Sequence, residues 1–271
     1  MPGIKRKVFF ELKAGAALAL FIGGITITGL FYLPFDYNEM DAQHRFSPPG
    51  PVHLMGTDNF GRDVFSRIMA GAKYTLLTAL ATVAGSALAG SALGMFSGFR
   101  GGIPDEIVMR LMDTLSSFPG ILLALMMVSI MDNSHSTLII ALLILFIPGF
   151  ARIMRNGMLQ YKDRDFILAA RIAGISGPRI IFVHIFPNLV PSLLSASVLG
   201  LSNAILAEST MSYLGLGIQP PVPGWGRMLS ESQAFLFNAP WCALAPGIMI
   251  MLTVLAFHYL GEGLRLAANR E

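Results

Sequence analysis

Six stretches of this chain contain no Asp, Glu, Lys or Arg, and each is long enough to cross a bilayer. They are Ala14–Leu33, Tyr74–Phe99, Thr114–Met131, Asn133–Ala151, Ile180–Ala207 and Ser232–Gly261. A helix rises about 1.5 Å per residue, so about 20 apolar residues cross a hydrocarbon core of about 30 Å. Backbone amides in hydrocarbon have no water to bond, so such runs must satisfy themselves as helices. Burial of all six inside a soluble core would need polar faces elsewhere. Only 13% of the residues are charged, against about a quarter in soluble domains, too few to supply them. The expected fold class is therefore an all-α polytopic membrane protein with six transmembrane helices.

The first run follows Lys5, Arg6, Lys7 and Lys13 and ends at Leu33-Pro34 without a small-x-small site. It is expected to stay as a span and not to be removed as a leader. With the N-terminus inside, six spans leave Arg45, Arg62, Arg67, Lys73 and Arg227 outside. The other 14 of the 19 Lys and Arg residues fall inside. The positive-inside rule then places both termini in the cytoplasm and accounts for the net charge of +3 without nucleic acid. The expected organisation is 1–33 as cytoplasmic N-terminus and first helix, and 34–73 as an outer loop. A five-helix core follows at 74–263, with a long cytoplasmic loop at about 152–186, then a tail at 264–271.

Two loops carry pattern. In the outer one, Thr57 or Asp58 is a candidate N-cap, and Phe60, Val64, Phe65, Ile68 and Met69 form a helical stripe. This predicts a short amphipathic helix lying on the outer surface. In the cytoplasmic loop, Asp165–Ala173 reads as a short helix, with Phe166, Ala169, Ala170 and Ala173 on one face and Gly174 at its end. Small residues there allow another surface to approach closely, which favours docking over a loop that merely fixes topology.

Several chemistries find no support. The single cysteine, Cys242, excludes an intrachain disulfide and cysteine-pair zinc sites. His44, His53, His135, His184 and His258 show no metal-ligand spacing, and no metal site is expected. There is no GxxxxGK[ST] phosphate loop and no Gly-x-Ser-x-Gly elbow. An intramembrane hydrolase would need paired acids, a Ser/His pair or a zinc motif within spans. An ion-driven secondary transporter would need ionisable residues near the midplane, but Asp113 and Glu208 sit toward helix ends. Asp113 is expected to pair with Arg110, one turn earlier. Glu208, with Asn203, is a candidate for the translocation path or a gate. Gly85, Ala89, Gly90, Gly94 and Gly98 suit close helix packing.

The cytoplasmic loop resembles the coupling loop of type I ABC importer permeases, whose pattern is Glu-Ala-Ala, three residues, then Gly. Ala169-Ala170 and Gly174 keep the spacing, Leu168 stands at the glutamate place, and Pro187-Asn188 matches the downstream step. Leu54-Met55-Gly56-Thr57-Asp58 with Gly61-Arg62-Asp63 is similar to a block of the dipeptide, oligopeptide and nickel permeases. Ser212-Tyr213-Leu214-Gly215-Leu216-Gly217, Pro220-Pro221 and Trp225-Gly226 resemble a later block of the same family. The overall pattern looks closest to the C-type permease subunit.

The resemblance implies a non-enzymatic permease in the bacterial inner membrane, forming half of a path for short peptides. Nickel or a metal chelate is the alternative substrate. It implies a second permease, two ATPase subunits that bind ATP and Mg, and an extracytoplasmic solute-binding protein. It also implies coupling to the ATPases through Asp165, Ala169, Ala170, Arg171 and Gly174, with no cofactor in this chain.

Overall fold

The computed structural model describes residues 2–131 and 134–268. Asp132 and Asn133, where the third apolar run gives way to the fourth, lie outside them. So does the end of the tail, including Arg270. Among the described residues the α-helices run in chain order as α1 Pro2–Phe31, α2 Val64–Arg100, α3 Gly102–Ser117, α4 Gly120–Ile130, α5 His135–Tyr161, α6 Asp165–Ile172, α7 Gly177–Arg179, α8 Phe186–Tyr213, α9 Trp225–Ser232 and α10 Trp241–Ala268. No strand occurs among the described residues.

Five continuous stretches are long and apolar enough to cross a membrane: Val8–Phe31, Val64–Arg100, His135–Tyr161, Gly177–Tyr213 and Trp241–Ala267. The sixth candidate is a bent pair of helices and not a single rod. The third apolar run is divided between α3 and α4, which meet at 91°. Phe118 takes an extended conformation immediately before Pro119, as the proline ring requires of the residue ahead of it. Proline also shapes the start of the fifth crossing. Pro187 has no N–H and its ring crowds the carbonyl one turn back. The chain there widens into a π-helical turn, Ile180–Ile185, between α7 and α8.

The expected separate helix on the outer surface does not form. Thr57 and Asp58 are used up in a loop, where Thr57 Oγ1 accepts from Ser47 N at 2.9 Å and Asp58 Oδ1 from Phe60 N at 2.8 Å. Asp63 is the true cap, accepting from Ser66 N at 2.7 Å. From Val64 the helix continues unbroken as α2 for 37 residues.

Lipid chains are as apolar as leucine, so spans associate through close packing. The small-residue stripe on α2 does this against α5. A Cβ on Gly94 would collide with Ala151 O, and one on Gly90 would stand 2.7 Å from Ile147 O. Ser86 Oγ adds a hydrogen bond to Leu143 O at 2.9 Å across the same seam. The N-terminal helix α1 lies along α10, with Gly15 against Leu260 and Gly263 against Leu12. The core is stacked by depth. Val64, Ile68, Trp225 and Cys242 fill one end, Val83, Phe150 and Ile205 the middle, and Met154, Met158, Ile167 and Ile185 the opposite end, where α6 lies.

Candidate functional site

The first site is α6, held between α5 and the turn that opens the fifth crossing. Ile167 and Ala170 are buried and pack with Met154, Met158, Ile180 and Ile185. Gly174 has φ +76° and ends the helix, a left-handed conformation that glycine adopts without strain. The expected shared face of Phe166, Ala169, Ala170 and Ala173 is divided. Ala170 belongs to the chain's own core, while Phe166, Ala169 and Ala173 stay exposed. Asp165, Arg171 and Ile172 are exposed too, and Ile172 is 89% accessible. The reason is Ile167, which the alanine pattern overlooked. As the bulkiest apolar residue able to reach the bundle, it turns its own side of the helix inward and the alanine face partly out.

Next to α6, α5 and α8 diverge. A recess of about 460 Å³ is lined by Phe146, Phe150, Ser192, Ser195 and Asn203, with Arg265 at its edge. A second recess of about 770 Å³ continues from it through the shared residues Ile153 and Ser192. Its walls carry Asn156, Gln160, Tyr161, Arg164 and Asn188. Together they form a groove, aromatic within the bundle and amide-rich toward the end that carries α6. Asn203 and Glu208 are not brought together. Asn203 is exposed on the groove, whereas Glu208 is fully buried, accepting from Ser212 Oγ at 2.6 Å and Ser209 Oγ at 3.4 Å.

The expected Arg110–Asp113 pair is also replaced. Arg110 bonds Glu106 at 2.5 Å, and Asp113 bonds Arg152 at 2.9 Å. Glu106 stands one turn before Arg110, the favourable order for a helical ion pair. Nearby, Arg155 forks onto Asp105 with two 2.6 Å bonds, tying α5 to α3.

At the end of the bundle away from α6 the two loop blocks meet. Asp58 Oδ2 accepts from Arg62 Nε and Arg67 Nη1, both at 2.7 Å. The same two arginines reach Glu231 Oε2 at 3.3 and 3.1 Å, and Arg227 reaches Glu231 Oε1 at 3.3 Å. Arg62, Arg67 and Asp58 are buried. Trp225 is fully buried and donates its Nε1–H to Ile68 O at 3.0 Å. Trp241 Nε1 donates to Thr57 O at 3.1 Å, above Gly56.

Four glycines of the two blocks, Gly56, Gly61, Gly217 and Gly226, sit where no Cβ fits. Gly61 faces Asp41 O, Gly217 faces the Ser212 side chain, and a Cβ on Gly226 would collide with Ser209 O. Gly215 has φ +84°, and Gln219 Nε2 closes the turn onto Gly215 O and Gly217 O before Pro220. Asp63 holds His53 at 2.9 Å as well as capping α2. Glu231 was not anticipated. The signal available was its place one turn after Arg227 on a short polar helix. Among the described residues, no three of His, Cys, Asp and Glu converge as metal ligands would.

Residues 90–265 match the family described as binding-protein-dependent transport system inner membrane component. The chain is 38% identical over 268 residues to a dipeptide transport system permease protein, DppC, of Alkalihalophilus pseudofirmus, covering 96% of this chain and 88% of that protein. It is 37% identical to a glutathione transport system permease protein, GsiD, of Pectobacterium atrosepticum, covering 93% and 84%. In fold it is similar to a chain of the MetNI methionine ABC transporter in an inward-facing conformation. The TM-score is 0.56 with 19% identity, over 72% of this chain and 94% of that one.

Proposed function

Because this chain belongs to the family of binding-protein-dependent transport inner membrane components, we propose that it is the C-type permease subunit of an ABC importer for short peptides. It contributes one wall of the path, and a related permease contributes the other. Two ATPases dock on the cytoplasmic side, bind ATP and Mg, and carry out hydrolysis. A solute-binding protein delivers the peptide outside. The dipeptide and glutathione relatives support short peptides over nickel or a metal chelate.

The observation that carries this reading is the two-sidedness of α6. Its buried side, Ile167 and Ala170, is fixed to the helices that border the groove. Its other side, Asp165, Ala169 and Ile172, is bare. A helix fixed on one side and bare on the other passes an ATPase movement directly to α5 and α8. The groove then alternates between outward and inward access. Asn203 and Ser195 line the peptide's route, and neutral hydrogen-bonding groups suit a peptide backbone. Glu208, sealed inside, braces the outer end of α8.

Co-purification tests the assignment. The tagged chain should recover a sister permease and two ATPases, and should hydrolyse no ATP when freed of them. Hydrolysis by the isolated chain would overturn the division of labour. For orientation, cysteines placed at Asn38 and Tyr161, with Cys242 replaced by Ala, should label from opposite sides. Labelling from one side would overturn both cytoplasmic termini.

A further inference from the structure

At the cytoplasmic end of α2, away from the groove, a recess of about 430 Å³ is lined by Phe99, Arg100, Arg171, Ile175, Gly177 and Ile180. Its charged groups are two guanidiniums, Arg100 from α2 and Arg171 from α6. Neither forms an ion pair among the described residues. Arg171 lies 5.6 Å over the Phe99 ring, so it is turned toward the end of the span and not toward the bare side of α6. Near these lining residues in sequence, Phe96 is 49% exposed one turn before Arg100, and Phe182 is 61% exposed two residues past Ile180. Positive charge thus lies directly beside exposed apolar surface.

Depth identifies what has this shape. Lys73 Nζ sits 5.7 Å from the Tyr74 ring and marks the outer interface, where amphipathic aromatics gather. Tyr74 and Arg100 lie on one continuous helix. At about 1.5 Å per residue they are about 39 Å apart along its axis, against about 40–45 Å for a bilayer with its headgroup layers. Arg100 therefore lies at the level of the inner headgroups.

We propose that this recess binds an anionic phospholipid of the inner leaflet. Arg100 and Arg171 grip the phosphate through paired N–H donors, and the acyl chains lie along Phe96 and Phe182. The lipid would bridge α2 and α6, tying the coupling helix to the membrane plane. The inference depends on the chain's place in the bilayer and not on the identity of the transported substrate.

The test is native mass spectrometry of the full chain in mild detergent, titrated with phosphatidylglycerol or with phosphatidylcholine of the same acyl chains. The unmodified chain should retain one phosphatidylglycerol at least about tenfold more tightly than phosphatidylcholine. Arg100→Gln or Arg171→Gln should each weaken it about fivefold, and the double variant about thirtyfold. Arg110→Gln, an equally basic change on exposed α3, should not. Equal retention of the two lipids by the unmodified chain overturns the proposal, and this arm needs no variant to fold. Equal retention by the double variant overturns it too. Displacement by millimolar inorganic phosphate would mark a free-anion site instead. Loss of ATPase recovery in the double variant, with lipid retention unchanged, would assign the arginines to the ATPase.

Discussion

The outer end of the bundle and α6 treat polar and small residues in opposite ways. At the end of the bundle away from α6, buried Asp58, Arg62 and Arg67 are gathered with half-buried Glu231 into one network, and Gly56, Gly61, Gly217 and Gly226 are covered by their own chain. That region is complete within the subunit. At the other end, α6 covers two of its residues and leaves the rest bare. Both regions belong to family patterns, so a motif does not by itself mark contact with a partner. The outer blocks hold the subunit's own architecture. The exposed helix α6 is the one that the proposed function assigns to a partner chain.

The contrast yields a graded series. The largest effect belongs to Arg67→Ala, which leaves Asp58 and Glu231 sharing Arg62. Removing one partner of a buried ionic network typically costs about 3–5 kcal/mol. Thermal unfolding of the detergent-solubilised chain should show a clear drop in midpoint. A midpoint indistinguishable from that of the unmodified protein would mean that the outer end is not self-contained.

Neighbouring alanines sharpen the inner half of the comparison. Ala170→Trp overpacks the chain's own core and should cost it about 1–3 kcal/mol before any ATPase is involved. Ala169→Trp, on the bare side, should leave the unfolding midpoint unchanged while lowering ATPase recovery and peptide uptake together. If the two variants behave alike, the division of α6 into an inner and an outer side is wrong.

Smaller still is Arg179→Gln. It changes an exposed residue near α6 and should move stability by no more than about 0.5 kcal/mol. A large loss of uptake would extend the docking surface to α7.

The smallest expected effect is at the outer loop. His44 Nδ1 donates to Asp41 Oδ2 at 2.6 Å and holds that carboxyl below the usual carboxylate range. A depressed carboxyl stabilises the fold above its unfolded pKa, and this contribution is lost as pH falls through the folded value. Asp41→Asn should therefore lower the midpoint slightly at neutral pH and remove part of its decline toward acid pH, where the two proteins converge. An unaltered acid profile would show that the pair contributes nothing.

Much of the architecture was legible because bilayer physics is written locally. An uncharged run long enough to span, or glycines one turn apart at Gly90, Gly94 and Gly98, needs no distant partner to be read. What escaped was set at a distance or by competition. Thr57 and Asp58 are as able to cap as Asp63, but Ser47 and Arg67 claim them first. Glu231 lies 164 residues from Arg67, and nothing in their spacing links them. In α6, a pattern of alanines suggested one face, and a single isoleucine decided another. Pro119 marks a place where a helix can kink or end, but nothing in the run fixes the 91° angle.

One further property follows from α2 being a single uninterrupted helix from its Asp63 cap to Arg100. At about 1.5 Å per residue it is a rod about 55 Å long, anchored among the buried charges at one end and beside α6 at the other. A rod does not absorb rotation along its length. Pivoted at its charged end, it turns a slight tilt into a wide sweep of the other end. The longer the shaft between a fixed bearing and a driven tip, the smaller the angular change that suffices. Interrupting it midway, for example with a proline at Leu88, would let the two halves turn independently and uncouple them.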